Sequence, residues 1–345
     1  MRGTLNRDLK EMYHFYVDEE RKRKLIGKKR IKRWLYICWW LLEGLVSKLS
    51  PARRLIVVIC LCLFLTGQMK FQYADSELVI GLHQFAFLGL LIVLMLELKD
   101  KLLAKDELKT GRAVQLALMP ERNPQIPGWD VWLFTHPAND VGGDLVDYLQ
   151  VGDNRWAIIL ADVSGKGLAA ALLMAKLQST IRAVASDHES LAELAAHLNH
   201  ILYRDGIPGK FATMLYLEVK PDSEKIRVLN AGHIPPVIVT GNQFSSLPPI
   251  AIPIAAFPDA VFKEQELDLP PEALLIVYSD GLTEARNEKD EFFGEERFNA
   301  LLPGLQGMSA EQAGLVIFEE VERFVGDARA SDDFSIIILK RRFML

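Results

Sequence analysis

Two apolar runs near the start of the chain limit what it can fold into more than any other feature. Residues 55–69 read LIVVICLCLFLTGQM, and residues 78–96 read LVIGLHQFAFLGLLIVLML. A membrane span takes about 17–25 such residues, so the first run is slightly short and the second is long enough. Arg53, Arg54 and Lys70 flank the first run, where long basic side chains can reach out to headgroups. The second run holds two polar side chains, His83 and Gln84. An intramembrane His serves either sensing or a helix–helix hydrogen bond near an interface. The intervening KFQYADSE reads as a short turn. Upstream, RKRKLIGKKRIKR at 21–33 holds nine basic residues in thirteen, and basic segments beside spans stay on the cytoplasmic side. The expectation is a basic cytoplasmic tail at 1–33 and a two-helix transmembrane hairpin at 51–98, with both chain ends inside. The alternative is a helical hairpin buried in a soluble domain. The apolar run starts too far into the chain for a cleavable signal.

Residues 34–50 place Trp34, Leu35, Cys38, Leu41, Leu42, Leu45 and Leu49 at helical spacing, with Glu43, Ser47 and Lys48 off that stripe. This predicts an amphipathic helix lying in the membrane interface. Residues 99–119 predict a charged helical connector. Its heptad pattern is interrupted by Lys105 and Arg112 and weakened by Gly111, which leaves a homodimer through this helix as one expectation. Pro120, Pro124, Pro127 and Gly128 mark the boundary of a domain at 120–345.

Charge divides the chain at the same place. Residues 1–120 carry 21 Lys/Arg against 12 Asp/Glu, and residues 121–345 carry 19 against 33. An acidic domain repels phosphates, so no nucleic-acid partner is expected. The three cysteines, Cys38, Cys60 and Cys62, all precede that domain. This excludes a disulfide scaffold and a cysteine nucleophile there.

In 120–345 the segments DVWLFTH, YLQVG, RWAIILADV, ATMLYLEV, KIRVLNAG, PPVIVTG, ALLIVYSD and FSIIILKR read as strands. Residues 168–186, 189–204, 295–302 and 309–326 read as helices. Helices come in pairs and strands in runs, which is α+β rather than alternating α/β.

Aspartates recur where those strands end. Asp144 follows Gly142-Gly143, Asp162 precedes VSGKG, Asp280 precedes Gly281, and Asp332-Asp333 opens the last strand. A single such Asp is an ordinary turn residue. Four of them can converge at one sheet edge, where their charges repel and raise one another's pKa. A divalent cation relieves that repulsion, and oxygen-only ligands suit Mg²⁺ or Mn²⁺. VSGKG lacks the upstream Gly and the Ser/Thr of a phosphate-binding P-loop. Lys166 within it either meets phosphate or faces solvent.

The stretches LALMP (116–120), PANDVGGDLVDY (137–148), ADVSGKGLAAALLM (161–174), FATMLY (211–216), NAGHIPP (230–236), YSDGLTEARN (278–287), EFFGEERF (291–298) and DDFSIIILKR (332–341) occur in that order. Together they resemble the PPM (protein phosphatase 2C) family in its bacterial SpoIIE/RsbU-type branch. The resemblance implies two stacked antiparallel β-sheets flanked by helices, with a two-metal centre at one end. It assigns Asp144, Asp162, the Val163 carbonyl, Asp280 and Asp332 as metal ligands, with Asp162 bridging. Asp333 is placed beside them, and Asp147 is offered for an additional metal. His233 in NAGH is either an acid for the leaving alkoxide or a structural hydrogen-bonding group. Ala255 stands where relatives commonly carry Gly, and no phosphate-clamping Arg can be assigned.

The implied activity is hydrolysis of phosphoserine or phosphothreonine by metal-activated water, using two Mn²⁺ or Mg²⁺. The implied substrate is a phosphorylated regulatory protein such as an anti-sigma factor antagonist. The implied setting is a bacterial cytoplasmic membrane with the phosphatase domain in the cytoplasm. The alternatives are a catalytically silent partner-switch module and a phosphatase of a small metabolite or lipid.

Overall fold

Strand β5 (Arg155–Val163) shows how the larger part of the molecule is layered. Successive side chains on a strand face opposite ways. Ile159, Ala161 and Val163 enter one apolar cluster, and Ile158 and Leu160 enter another. A strand buried on both faces belongs between two layers. The computed structural model, which describes residues 19–25, 28–73, 76–221, 223–247 and 252–342, bears this out. The chain divides into two compact units, Met1–Lys105 and Asp106–Leu345.

In the second unit, the other strands are β3 (Trp129–His136), β4 (Asp144–Gly152), β6 (Ala212–Val219), β7 (Lys225–Ala231), β8 (Val237–Thr240), β9 (Gln243–Ser246), β10 (Glu264–Asp268), β11 (Leu274–Tyr278) and β12 (Phe334–Arg341). They form two five-stranded antiparallel sheets, ordered β10-β7-β6-β5-β4 and β3-β12-β11-β8-β9. Ile158, Leu160, Leu215 and Leu217 of the first sheet meet Val131, Leu133, Val277 and Ile337 of the second. The first sheet's outer face is covered by α5 (Leu168–Val184) and α6 (Leu191–Asp205). The second sheet's outer face is covered by α8 (Gly294–Leu301) and α9 (Ala310–Val325). One turn of helix, α7 (Asp280–Thr283), follows β11 and precedes α8 in sequence. Local chemistry fixes the helix starts. Ser190 accepts from the Glu193 N–H, and Ser309 with Gln312 forms a reciprocal capping box. This is the expected helix–sheet–sheet–helix sandwich.

The first unit holds α1 (Glu19–Lys24), α2 (Arg30–Lys48), α3 (Pro51–Thr66), β1 (Gln68–Tyr73), β2 (Ser76–Gly81) and the start of α4 (Leu82–Leu118). Two expectations change here. The short turn between the apolar runs is an antiparallel hairpin pairing Gln68 with Gly81 and Lys70 with Val79, so the second helix begins at Leu82 rather than 78. The connector at 99–119 is also no separate element. It continues α4, a single helix of 37 residues, straight through Gly111. Helices α3 and α4 are clasped by Arg53, which bonds Glu97 at 2.6 Å and Asp100 at 2.7 Å. Farther along, the Phe64 and His83 rings meet edge-on at 5.2 Å. Among the described residues, one helix is long and apolar enough to cross a membrane by length and composition, Leu168–Asp187. That segment contains α5, whose apolar face is buried against the first sheet. The tail expected at 1–33 falls mostly outside the described residues.

Candidate active site

Antiparallel pairing places Asp144, the first residue of β4, directly across from Asp162 on β5. By the two-residue period, both point to the face shared with Val146 and Leu160, toward the other sheet. That sheet supplies Asp280, at the start of α7 after β11, and Asp332, just before β12. Four carboxylates therefore come from the two sheets to one end of the sandwich.

Their electrostatics show how close they are. Burial pushes the Asp144 carboxyl well above the usual range, with Asp162 and Asp333 adding to the shift. The hydroxyls of Ser335 and Ser279 lie near enough to oppose it in part, yet each spends its proton elsewhere. Ser335 donates to Thr135 and Ser279 to the Asp333 carbonyl. Asp144 Oδ2 is buried and has no hydrogen-bond partner. Asp162 is pushed up to about 6, by burial first and then by Asp280, Asp332 and Asp333. Asp280 is raised by burial, Asp332 and Glu284. Each shift reflects a charge held in poor solvation beside like charges.

The Val163 carbonyl borders the same point. A Cβ on Gly143 would stand 3.2 Å from it, so the Gly143 backbone approaches where a side chain would crowd. Asp333 belongs to the frame. Its Oδ2 accepts from the Gly143 N–H at 2.6 Å and its Oδ1 from the Ala138 N–H at 2.9 Å, which pins the loop entering β4.

Asp147 is a correction. Three residues from Asp144, it faces the opposite side of the sheet, under α5. There it is 1 % exposed and bonded to Arg182 Nε at 2.8 Å, Arg182 Nη2 at 2.5 Å and Gln178 Nε2 at 3.1 Å. Its oxygens anchor a helix rather than a metal. His233 has the hydrogen bonds of the structural alternative. It is buried, its Nδ1 pairs with Thr213 Oγ1 at 2.9 Å, and its Nε2 has no partner. Burial lowers its pKa to about 4, with the Tyr278 backbone opposing that shift in part. Asn230 fixes its backbone from both sides.

Two residues that the sequence reading did not single out as a site partner or frame complete the picture. Gln115 of α4 is buried and grips the loop before Asp144, donating to the Gly142 carbonyl at 2.8 Å and accepting from the Gly142 N–H at 3.1 Å. A polar Gln within an apolar helical stretch was the available signal. Asn199 of α6 holds Ala255, which sits at φ 64, by accepting its N–H at 2.7 Å. The positive φ accounts for a glycine preference at that position.

The donor set suits a hard divalent cation: all-oxygen, anionic, partly desolvated, with one buried oxygen unpaired. Among the described residues, no three acidic, His or Cys side chains close into a finished ligand cluster. Asp332 Oδ2 is instead held by Lys166 Nζ at 2.8 Å. The carboxylates are near enough to perturb one another.

Comparison with known proteins agrees with this architecture. The profile of the SpoIIE family (stage II sporulation protein E) matches residues 152–342, which includes Asp162, Asp280 and Asp332. The phosphoserine phosphatase RsbU of Bacillus subtilis is 25 % identical over 240 residues, 69 % of this chain and 71 % of that protein. The phosphoserine phosphatase RsbP of the same organism is 29 % identical over 53 % of this chain and 46 % of that protein. Protein IcfG of Synechocystis is 25 % identical over 68 % of this chain, which spans 41 % of its length. Two of these three relatives therefore extend well beyond the matched region. Among solved structures, the SiaA PP2C domain of Pseudomonas aeruginosa superposes with a TM-score of 0.61 at 19 % identity, covering 71 % of this chain and 99 % of that one. The RsbU and RsbW domains of Rv1364c from Mycobacterium tuberculosis give 0.56 at 24 % identity, covering 64 % and 61 %. The family match spans more than half of the chain and the folds agree, so this protein belongs to the SpoIIE family of PPM-type phosphatases.

Proposed function

We propose that this chain is a metal-dependent protein serine/threonine phosphatase held at a membrane by its first unit. The observation that carries the reading is the opposition of Asp144 and Asp162 across β4 and β5, with Asp280 and Asp332 brought to them by the other sheet. Asp144, Asp162, the Val163 carbonyl, Asp280 and Asp332 would hold a pair of Mn²⁺ or Mg²⁺. Such ions supply Lewis-acid stabilisation for phosphoryl transfer and acidify water at neutral pH. The protein's own part is placement. Asp333 and Gln115 set the loop that aims Asp144, and the ladder register aims Asp162. The substrate class, a phosphorylated regulatory protein, is supported by the two phosphoserine phosphatases among the relatives.

Membrane attachment is supported by α3 and α4. Leu61, Phe64 and Leu65 are 57 %, 59 % and 76 % exposed, and Phe87, Leu88 and Leu94 are 69 %, 53 % and 61 % exposed. Water does not tolerate apolar surface of that extent on a monomer. The proposed location is the cytoplasmic membrane, with the phosphatase unit in the cytoplasm. The test is phosphate release by the full chain in detergent from a phosphoserine protein, a phosphopeptide and a small phosphoester, with Mn²⁺, Mg²⁺ or EDTA. Metal-dependent turnover of the protein substrate, lost in Asp162→Asn and Asp280→Asn, supports the reading. Turnover of the small ester alone, or none with Mn²⁺ bound, contradicts it.

A further inference from the structure

Lys166 is the cation that faces the carboxylates. It comes from the first sheet's loop after β5 and crosses to the second sheet. There its ammonium bonds Asp332 Oδ2 at 2.8 Å and the Ser331 carbonyl at 3.0 Å. It also lies close enough to Asp162 and Asp280 to oppose their upward shifts. Asp332 Oδ1 accepts the N–H of Asp333 at 3.0 Å. Lys166 therefore holds the carboxylate oxygen that no backbone group engages.

This ion pair is built to break. The Lys166 side chain is 60 % exposed and that of Asp332 is 32 % exposed. Pairs this open contribute at most about 1 kcal/mol. The Asp147–Arg182 pair, with its carboxylate buried, instead uses a planar bidentate fork. Lysine offers a single flexible stem whose three donors can be re-aimed. The loop supports that placement. Lys166 stands between Gly165 at φ 101 and Gly167 at φ 74, left-handed on both sides, where L side chains are strained. Helix α5 starts immediately after. Lys166 thus brings an ammonium to a group of acids, on a domain whose motifs assign no phosphate-binding Arg.

We propose that Lys166 competes with a divalent cation for Asp332 and, once displaced, presents its ammonium to the phosphoryl group of the substrate. This rests on the two-metal phosphatase reading. A metal ion taking Asp332 Oδ2 ends the lysine's hydrogen bond there and leaves a positive charge beside the site. A phosphate dianion is the partner such a charge selects. Metal loading and phosphate recognition are then linked through one side chain: the lysine slightly weakens the first and strengthens the second.

The test uses the metal-stripped full chain in detergent, titrated with MnCl₂ by calorimetry, as wild type, Lys166→Met and Lys166→Arg. Losing a competitor worth at most about 1 kcal/mol tightens Mn²⁺ binding by about two- to five-fold in Lys166→Met, while Lys166→Arg stays near wild type. A second titration adds inorganic phosphate to the Mn²⁺-loaded proteins. Phosphate binding weakens at least about three-fold in Lys166→Met and is largely kept in Lys166→Arg. Unchanged Mn²⁺ affinity in Lys166→Met overturns the competition, and unchanged phosphate affinity overturns the recognition role. Absence of Mn²⁺ binding in wild type overturns the metal-site reading itself, which separates the two failures. Melting in EDTA checks folding, with Lys166→Gln as the replacement variant if Met disturbs it.

Discussion

Replacing Asp162 by Asn is expected to make the metal-free protein more stable while removing its function. The Asp162 pKa is pushed up to about 6 from 3.8. About 2 pK units at 1.36 kcal/mol each is about 3 kcal/mol. Partial exposure of the site discounts this to about 1.5–3 kcal/mol. The sign follows from linkage. An acid whose folded pKa lies above its unfolded value binds its proton more tightly when folded. It therefore stabilises the fold below about pH 4 and loses that contribution as pH rises to about 6. Asparagine keeps the shape and has no charge to desolvate. In EDTA at pH 7.5, Asp162→Asn should melt about 3–10 °C above wild type, at about 2–4 °C per kcal/mol for a domain of this size. At pH 4.5, where the unfolded carboxyl is already mostly ionised, the gap should shrink to about a third of that. Mn²⁺ at about 1,000 times its Kd should reverse the order, because it adds about 4.1 kcal/mol to a protein that can bind it. The assay is differential scanning fluorimetry of the full chain in detergent at both pH values. A variant less stable than wild type at pH 7.5 in EDTA, or a gap that does not depend on pH, refutes the argument.

Three further outcomes follow from contacts around the site. Asp147→Asn should cost about 1.5–3 kcal/mol in urea denaturation, since it ends the charged fork to Arg182 and weakens the bond from Gln178, and should leave the number of bound Mn²⁺ unchanged. A lost Mn²⁺ would restore Asp147 as a ligand. Asn199→Ala should cost about 2–3 kcal/mol, because one buried amide satisfies the Ala255 N–H and the Phe257 and Pro258 carbonyls, and denaturation at unchanged m-value checks it. His233→Gln should leave the pH–rate profile unaltered and kcat within a few-fold. A drop of about 10²–10⁴ would mark His233 as a general acid after all.

The core strands of the second unit were legible because each is a short apolar run ending in a turn. ATMLYLEV and FSIIILKR correspond to β6 and β12 residue for residue. The strands that escaped were those without an apolar signal. β9, QFSS, is an exposed edge strand, and β10, EQELD, is mostly polar. β2 escaped for the opposite reason, since LVIG reads equally as strand or span and only pairing with β1 decides. The carboxylates at the site were legible because turn chemistry places Asp at strand ends. Their separate employments were not. Asp144 and Asp147 differ by which face of β4 each occupies, and Asp147's partner Arg182 lies 35 residues away on α5. Likewise, NAGH announces a polar residue at a strand end but not that folding buries it.

The most direct test of the central claim is anomalous diffraction at the manganese edge from crystals of the full chain grown with Mn²⁺. The account predicts two peaks at the end of the sandwich between Asp144, Asp162, Asp280 and Asp332, with Lys166 moved off Asp332. Peaks confined to other residues, or none at those four carboxylates under saturating Mn²⁺, would contradict it.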